Sequence, residues 1–165
     1  MSILVLWDGT DRYAEQLVQK LNESGAVTID VIKAAPPVNG VRRSLHQLFG
    51  IELRFRPLGH DLRSHQAIVA CFSVPRGHVP IEVASFLRQR RAEIAALACV
   101  MVTDHFVSDT ASAIMEVERL AGQSLVTLLE MPRPELGIDG RGHPRPWLVK
   151  CRIESFIGKL HSYRS

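Results

Sequence analysis

The polar residues that could do chemistry in this sequence lie in short segments that follow apolar runs. His105 follows Asp104, and a histidine titrates near neutrality, so the pair could act as a general acid and base. Ser73 lacks the Gly-x-Ser-x-Gly setting of a hydrolase nucleophile. The histidines have no recognised metal-ligand spacing, so we predict no metal site. They are instead predicted to be solvent-exposed loop residues: His60, His65, His78 and His105.

The composition is that of an ordinary globular domain. Of the 165 residues, 46% are hydrophobic and 22% are charged, and the net charge is +3, which excludes a mainly disordered chain. This length predicts one domain over residues 1–165. The sequence has neither an apolar run of about 20 residues nor a recognisable secretion signal, so we expect a cytoplasmic protein with no membrane contact.

The cysteines indicate packing rather than chemistry. Cys71 and Cys99 lie inside apolar runs, and the three cysteines of the chain form no closely spaced pair. We therefore predict buried, reduced thiols at Cys71 and Cys99 that behave as small hydrophobic side chains.

Arginine supplies most of the basic excess, which lies in residues 42–63 and 133–164. A charge of +3 is too small and too dispersed for a typical nucleic-acid-binding module, so no nucleic acid is expected as a partner. Five arginines of the first segment could form a patch for an acidic partner, or could be ordinary solvated surface. They are Arg42, Arg43, Arg54, Arg56 and Arg63.

The elements that must position these side chains alternate along the chain. Nearly continuous apolar runs predict strands that are covered on both faces, as in a parallel sheet. These runs are Ile3–Trp7, Val27–Ile32, Ala67–Phe72, Leu97–Val102 and Leu125–Leu129. Apolar residues at helical spacing predict a helix after most of them, around residues 14–21, 83–94, 114–121 and 149–160. Thr10 or Asp11 can cap the first helix.

The alternation of strands and helices predicts an α/β fold with parallel strands and right-handed crossovers. Residues 34–62 resist assignment, apart from one short helix at Arg43–Phe49 that Gly50 would end. Residues 131–146 are rich in Pro, Gly and Arg and are predicted to be a surface loop that leads to the last helix.

Three segments of the sequence resemble the flavodoxin-like family. SILVLWDGTDRYAEQLVQKL looks like its first strand, phosphate loop and first helix. HQAIVACFSVPRGHVPIEVASFLRQ resembles its third strand, flavin-flanking loop and following helix, and LACVMVTDHF its fourth strand and second flanking loop. The resemblance implies a three-layer α/β/α sandwich whose five-stranded parallel sheet has the order 2-1-3-4-5. It also implies an FMN site at the carboxyl ends of the first and third strands.

Carried onto this sequence, the resemblance implies three groups of cofactor-binding residues. They are Asp8, Gly9, Thr10, Asp11 and Arg12; Ser73, Val74, Pro75, Arg76, Gly77 and His78; and Thr103, Asp104, His105 and Phe106. The first group departs from the family pattern, because its loop is about three residues short and has lost most hydroxyls. Asp8 and Asp11 would repel a phosphate, whereas Arg12 could partly compensate.

Two functions follow from the resemblance. One is an FMN-binding redox protein that transfers electrons, or reduces a nicotinamide or quinone substrate, with a redox protein as another partner; whether it is an enzyme stays open. The alternative is a flavin-free module that binds a protein partner or another anion at the same sheet edge. Trp7 and Tyr13 lie near that edge, where they would either stack on a ring or, the favoured alternative, pack between sheet and helix. Members of the family range from monomers to tetramers, so a homo-oligomer is compatible with either function.

Overall fold

The computed structural model describes residues 2–9, 11–25, 27–35, 53–74, 77–104, 110–137 and 145–163. Its strands are β1 (Ile3–Trp7), β2 (Thr28–Val31), β3 (Ala67–Ser73), β4 (Leu97–Thr103) and β5 (Leu128–Pro132). Its α-helices are α1 (Arg12–Glu23), α2 (Ile81–Arg90), α3 (Thr110–Ala121), α4 (Arg133–Leu136) and α5 (Pro146–Ser162). Leu62–Ser64 and Arg91–Glu93 form short 3₁₀ turns.

The strands form one parallel sheet in the order β2-β1-β3-β4-β5, so the predicted fold class and strand order are confirmed. The middle of β1 sets the register, since Val5 lies opposite Ile29 of β2 and Val69 of β3. All residues of β3 and β4 are buried. Helices cover both faces of a parallel sheet, so both faces of these strands need apolar side chains. This explains the continuous apolar runs in the sequences of the central strands.

Each face of the sheet carries its own hydrophobic core. On one face, side chains such as Val5, Val69 and Val100 pack with α1 and α5. On the other face, side chains such as Leu4 and Phe72 pack with α2 and α3. Neighbouring side chains of a strand point to opposite faces, so each buried strand contributes to both cores. The result is the predicted α/β/α sandwich.

The outer edge of β2 is covered by the chain segment that leads back to β3. Phe55 lies opposite Ala34 in an antiparallel bridge, and the backbone N–H of His60 donates to the Asp30 carboxylate at 3.2 Å. These contacts hold that segment beside the edge, where it hinders pairing with another chain. The predicted helix Arg43–Phe49 lies outside the described residues.

The five arginines that could form a basic patch, or could be ordinary solvated surface, are only partly described. Arg54, Arg56 and Arg63 are exposed, whereas Arg42 and Arg43 lie outside the described residues. The acidic partner therefore stays a prediction.

The prediction for the last strand and its loop was wrong in two respects. The strand is Leu128–Pro132 rather than Leu125–Leu129, because an edge strand tolerates the exposed Glu130 and a terminal proline. The predicted loop 131–146 begins with the end of β5 and the short helix α4. Glu135 of α4 is buried and forms an ion pair with Arg152 of α5 at 2.9 Å. This tertiary contact has no local sequence signal.

The cysteine prediction is confirmed, since Cys71 and Cys99 are buried free thiols; the free thiol of Cys151 is exposed. The histidine prediction was wrong for His65, which is buried; its ring Nδ1 lies 2.9 Å from the Asp61 carbonyl oxygen, so the buried ring keeps a polar partner. Within the described ranges, no helix is long and apolar enough to cross a membrane.

Candidate functional site

The carboxyl edge of the sheet is the natural place for a site. We use this name for the edge at which β1, β3, β4 and β5 end, at Trp7, Ser73, Thr103 and Pro132 respectively. From β1 the chain crosses over to β2 on one side, whereas β3 to β5 follow on the other side. Connections therefore diverge above β1 and β3, and such a switch point leaves a crevice in open α/β sheets.

The connection from β1 to α1 is short and tightly packed. Asp8 is buried, and Gly9 has a φ of 72°. A Cβ atom added to Gly9 would lie 2.8 Å from Val31 Cγ1 of β2, so only glycine lets the backbone pass this close. Thr10 lies outside the described residues.

The amino end of α1 is capped by a carboxylate of the chain itself. Asp11 has extended backbone angles, and its Oδ1 accepts hydrogen bonds from the backbone N–H of Tyr13 at 2.7 Å and of Ala14 at 3.4 Å. The prediction that Thr10 or Asp11 caps this helix is thereby confirmed for Asp11. The cap places a negative charge where the family's phosphate loop would bring another anion, and it occupies two of the free amides.

The end of β3 contrasts with this satisfied helix end. Ser73 is buried, with 4% of its surface exposed, and its Oγ has no hydrogen-bond partner within the described residues. Side chains alternate along a strand, so Ser73 faces the same side as Cys71, whose Sγ lies 3.7 Å from the Ala14 carbonyl oxygen of α1. A buried hydroxyl without a partner costs free energy and marks a place where a ligand acceptor would be stabilising.

The segment after β3 is held by α3. Gly77 is buried with a φ of 76°, and its carbonyl oxygen accepts from Ser112 Oγ at 3.3 Å. The backbone N–H of Val79 donates to Glu116 Oε2 at 3.4 Å. These contacts fix the backbone beside the crevice. Val74 is buried and His78 is exposed, while Pro75 and Arg76 lie outside the described residues.

The ends of β4 and β5 are joined by an ion pair. Thr103 is buried, and the next residue, Asp104, accepts from Arg133 Nη1 through Oδ1 at 2.5 Å. The guanidinium carbon of Arg133 lies 4.7 Å from the centroid of the Tyr13 ring, a cation–π contact across to α1. His105 and Phe106 lie outside the described residues, so neither the acid–base pair nor a stacking role for Phe106 is tested.

A second guanidinium group lies over the Tyr13 ring, since Arg12 Cζ is 5.2 Å from the same centroid. Tyr13 itself is buried in the core beneath α1, and Trp7 packs against that core half-buried. This packing agrees with the favoured alternative for the two aromatic residues. We call Arg12, Tyr13, Asp104 and Arg133 the arginine–tyrosine cluster.

Sequence reasoning missed Arg133 because it lay in the segment predicted to be a loop. The available signal was its position after the fifth apolar run, since the ends of parallel strands meet at one edge. The described members of the predicted site do lie together along the carboxyl edge. They are Asp8, Gly9, Asp11, Arg12, Ser73, Val74, Gly77, His78, Thr103 and Asp104.

The electrostatics of this edge disfavour a thiol nucleophile. Burial raises the pKa of Cys71 far above its usual value, and the charges of Asp8 and Asp11 raise it further. Cys71 therefore stays a neutral thiol under the edge. In the described part of the chain, no group of His, Cys, Asp and Glu side chains could hold a metal ion.

Comparisons with known proteins place this geometry in a known fold. No family model and no curated protein sequence matches the chain. Solved structures do match. A flavoprotein from Lactobacillus acidophilus, solved in complex with FMN, has a TM-score of 0.62 at 12% identity, over 85% of this chain and 97% of its own.

Two further structures are similar. A candidate flavoprotein from Bacteroides eggerthii has a TM-score of 0.68 at 8% identity, over 94% of this chain and 98% of its own. A flavodoxin, WrbA-like protein from Agrobacterium tumefaciens has a TM-score of 0.60 at 12% identity, over 99% of this chain and 97% of its own. The fold is flavodoxin-like. At these identities, the comparisons establish the flavodoxin-like fold, and the function of the chain must be argued from its own residues.

Proposed function

We propose that the chain binds FMN at the carboxyl edge, between the ends of β1, β3 and β4, and acts in electron transfer. The observation that carries the proposal is the buried Ser73 hydroxyl, which lacks a partner among the described residues at the switch point of a flavodoxin-like sheet. The flavoprotein neighbours, one of them in complex with FMN, support the same ligand class.

The residues of the edge fit such a ligand. Ser73 offers a hydroxyl, Gly77 offers backbone that a ligand can approach closely, and Thr103 ends the neighbouring strand. FMN, when bound, supplies the redox chemistry. The chain needs only to hold the ring, exclude water from it and present it to a partner. A redox protein or a nicotinamide or quinone substrate is the proposed electron partner.

A second function is favoured by the other end of the site. Asp11 satisfies the first amides of α1 and Asp8 is buried beside them, so the usual place for a phosphate at a helix end is already negatively charged. This arrangement supports the alternative of a flavin-free module that binds a protein or a different anion at the same edge.

A titration separates the two proposals. FMN fluorescence is measured as the purified chain is added at low ionic strength, and we expect saturable quenching with one FMN per chain. Gly77→Val is the comparison variant, and it should weaken binding because a β-branched side chain is strained at the positive φ of this residue. Unquenched FMN at high micromolar protein, with a folded far-ultraviolet circular dichroism spectrum, would favour the flavin-free module.

A further inference from the structure

We propose that Arg133, together with Ser73, binds the phosphate group of the ligand from the β5 side of the carboxyl edge. The helix end of α1 would then not serve as the phosphate site. This inference rests on the proposed function in so far as FMN is the ligand. The phosphate-binding groups would then be side chains outside the β1–α1 loop.

The N-terminus of α1 cannot receive a phosphate in the usual way. Backbone amides at a helix N-terminus bind anions when they point at open space. Here the carboxylate of Asp11 accepts from the amides of Tyr13 and Ala14. A phosphate placed there would compete with that carboxylate and be repelled by it, so cations must come from another element.

Arg133 supplies such a cation in a fixed position. Its guanidinium lies against the Tyr13 ring on one side and pairs with Asp104 at its Nη1 atom. Its Nε is buried without an acceptor in the described part of the chain, while 29% of the side chain remains exposed. A guanidinium is a planar fork of N–H donors that matches a phosphate, so Asp104 leaves part of its donor capacity unused.

Ser73 lies on the same side of the sheet as this guanidinium. It shares the face of Cys71, which contacts α1, and Arg133 contacts Tyr13 of the same helix. Both unsatisfied groups, Ser73 Oγ and Arg133 Nε, can donate a hydrogen bond. A ligand group that accepts from both donors needs at least two acceptor atoms and gains from a negative charge beside the guanidinium, and a phosphate offers both. Arg12, on the same ring, adds a second positive charge.

Asp104 makes the inference testable, because it competes with a phosphate for Arg133. Arg133→Met keeps a long stem against Tyr13 but removes the charge, and should weaken FMN binding by about tenfold or more. Asp104→Asn removes the competing carboxylate and should tighten FMN binding by about threefold. If Arg133 merely positioned the end of β4 through Asp104, both changes would weaken binding.

The experiment measures the dissociation constants of FMN and of riboflavin, which lacks the phosphate, for the wild type and these variants at low salt. Arg91→Met is the matched control, since Arg91 is an exposed arginine after α2, at the opposite edge of the sheet. We expect riboflavin affinity to change by less than about twofold in every variant, and FMN affinity to change only at Arg133 and Asp104. Arg133→Lys keeps the charge without the fork and should lie between wild type and Arg133→Met.

Two results overturn the inference: an equal loss of FMN and riboflavin affinity in Arg133→Met, or a weakened FMN affinity in Asp104→Asn. If the wild type binds neither flavin, the proposed function fails, and inorganic phosphate then tests the inference alone. A phosphate-dependent rise in the melting temperature, relative to chloride at equal ionic strength, that is absent in Arg133→Met would support it. The same rise in both proteins, or no rise in the wild type, would overturn it.

Discussion

The two halves of the carboxyl edge are built differently. At the end of β1, the short connection to α1 is closed: Gly9 passes against Val31, and Asp11 satisfies the helix amides. At the ends of β3 and β5, polar groups are left without partners among the described residues, namely Ser73 Oγ and Arg133 Nε. The first amides of α1 thus have an acceptor from the chain itself, whereas two donors at the ends of β3 and β5 have none among the described residues.

A ligand can gain more free energy at the ends of β3 and β5 than at the end of β1. A hydrogen bond made in exchange for an existing one contributes little, whereas a partner for a buried, unsatisfied donor recovers a desolvation penalty of about 1–3 kcal/mol. The β3–β5 half is therefore the more favourable place for ligand acceptors, even though the resemblance to flavodoxins directs attention to the β1–α1 half.

The largest effect is expected at Gly9. Gly9→Ala forces an L-residue into a positive φ and places its Cβ against Val31, so we expect the free energy of unfolding to fall by about 2–4 kcal/mol. Urea denaturation measures the change. Gly25→Ala is the matched control, because Gly25 has a φ of 70° but its added Cβ would meet nothing within 4 Å.

In Gly25→Ala the free energy of unfolding should fall by only about 1–2 kcal/mol, which is the cost of the backbone conformation alone. Val31→Ala removes the clashing methyl group, so Gly9→Ala should cost less when made in the Val31→Ala background. Equal losses in Gly9→Ala and Gly25→Ala would mean that the connection from β1 to α1 is not tightly packed.

A smaller effect is expected when the cap of α1 is removed. Asp11→Ala should lower the free energy of unfolding by about 1 kcal/mol, since it leaves the amides of Tyr13 and Ala14 without their acceptor. The same change should tighten FMN binding by about threefold, because a carboxylate near the ligand phosphate is lost.

Asp61→Ala is the control for Asp11→Ala. Asp61 caps the 3₁₀ turn before β3, at the opposite edge of the sheet, through the backbone N–H of Arg63 at 3.1 Å. Asp61→Ala should lower the free energy of unfolding and leave the FMN affinity unchanged. A gain in FMN affinity much larger than threefold in Asp11→Ala would show that the freed amides of α1 bind the phosphate after all, because the carboxylate no longer competes for them.

The sequence predicted the parts of this molecule that local pattern determines. The continuous burial of β3 and β4 made both strands predictable from the sequence. The polar residues at or just after their ends, Ser73 and Asp104, could be placed at the edge from strand order alone. β5 was misplaced because the exposed Glu130 interrupts its apolar run, which only an edge strand allows.

The arginine–tyrosine cluster could not be predicted in this way. Tyr13 and Arg133 are distant in the sequence, and they meet only because α1 and the end of β5 lie over the same face of the sheet. No hydrophobic periodicity in the sequence indicates that contact. The sequence also does not show whether the Asp11 carboxylate binds the amides of its own helix or a ligand. The position of Asp11 before the helix predicts only that it can act as the cap.

The smallest change in stability, and the sharpest contrast, is expected at Ser73. Ser73→Ala removes a buried hydroxyl that has no partner in the described structure, so the free energy of unfolding should stay constant or rise by up to about 1 kcal/mol. Ser24→Ala is the control, because the Ser24 hydroxyl donates to the Leu21 carbonyl and its loss should destabilise the chain by about 0.5–1 kcal/mol. If Ser73 is a ligand group, Ser73→Ala must nevertheless weaken FMN binding severalfold. A variant that loses both stability and affinity would mean that the hydroxyl is already satisfied without a ligand, and the contrast between the two halves of the edge would disappear.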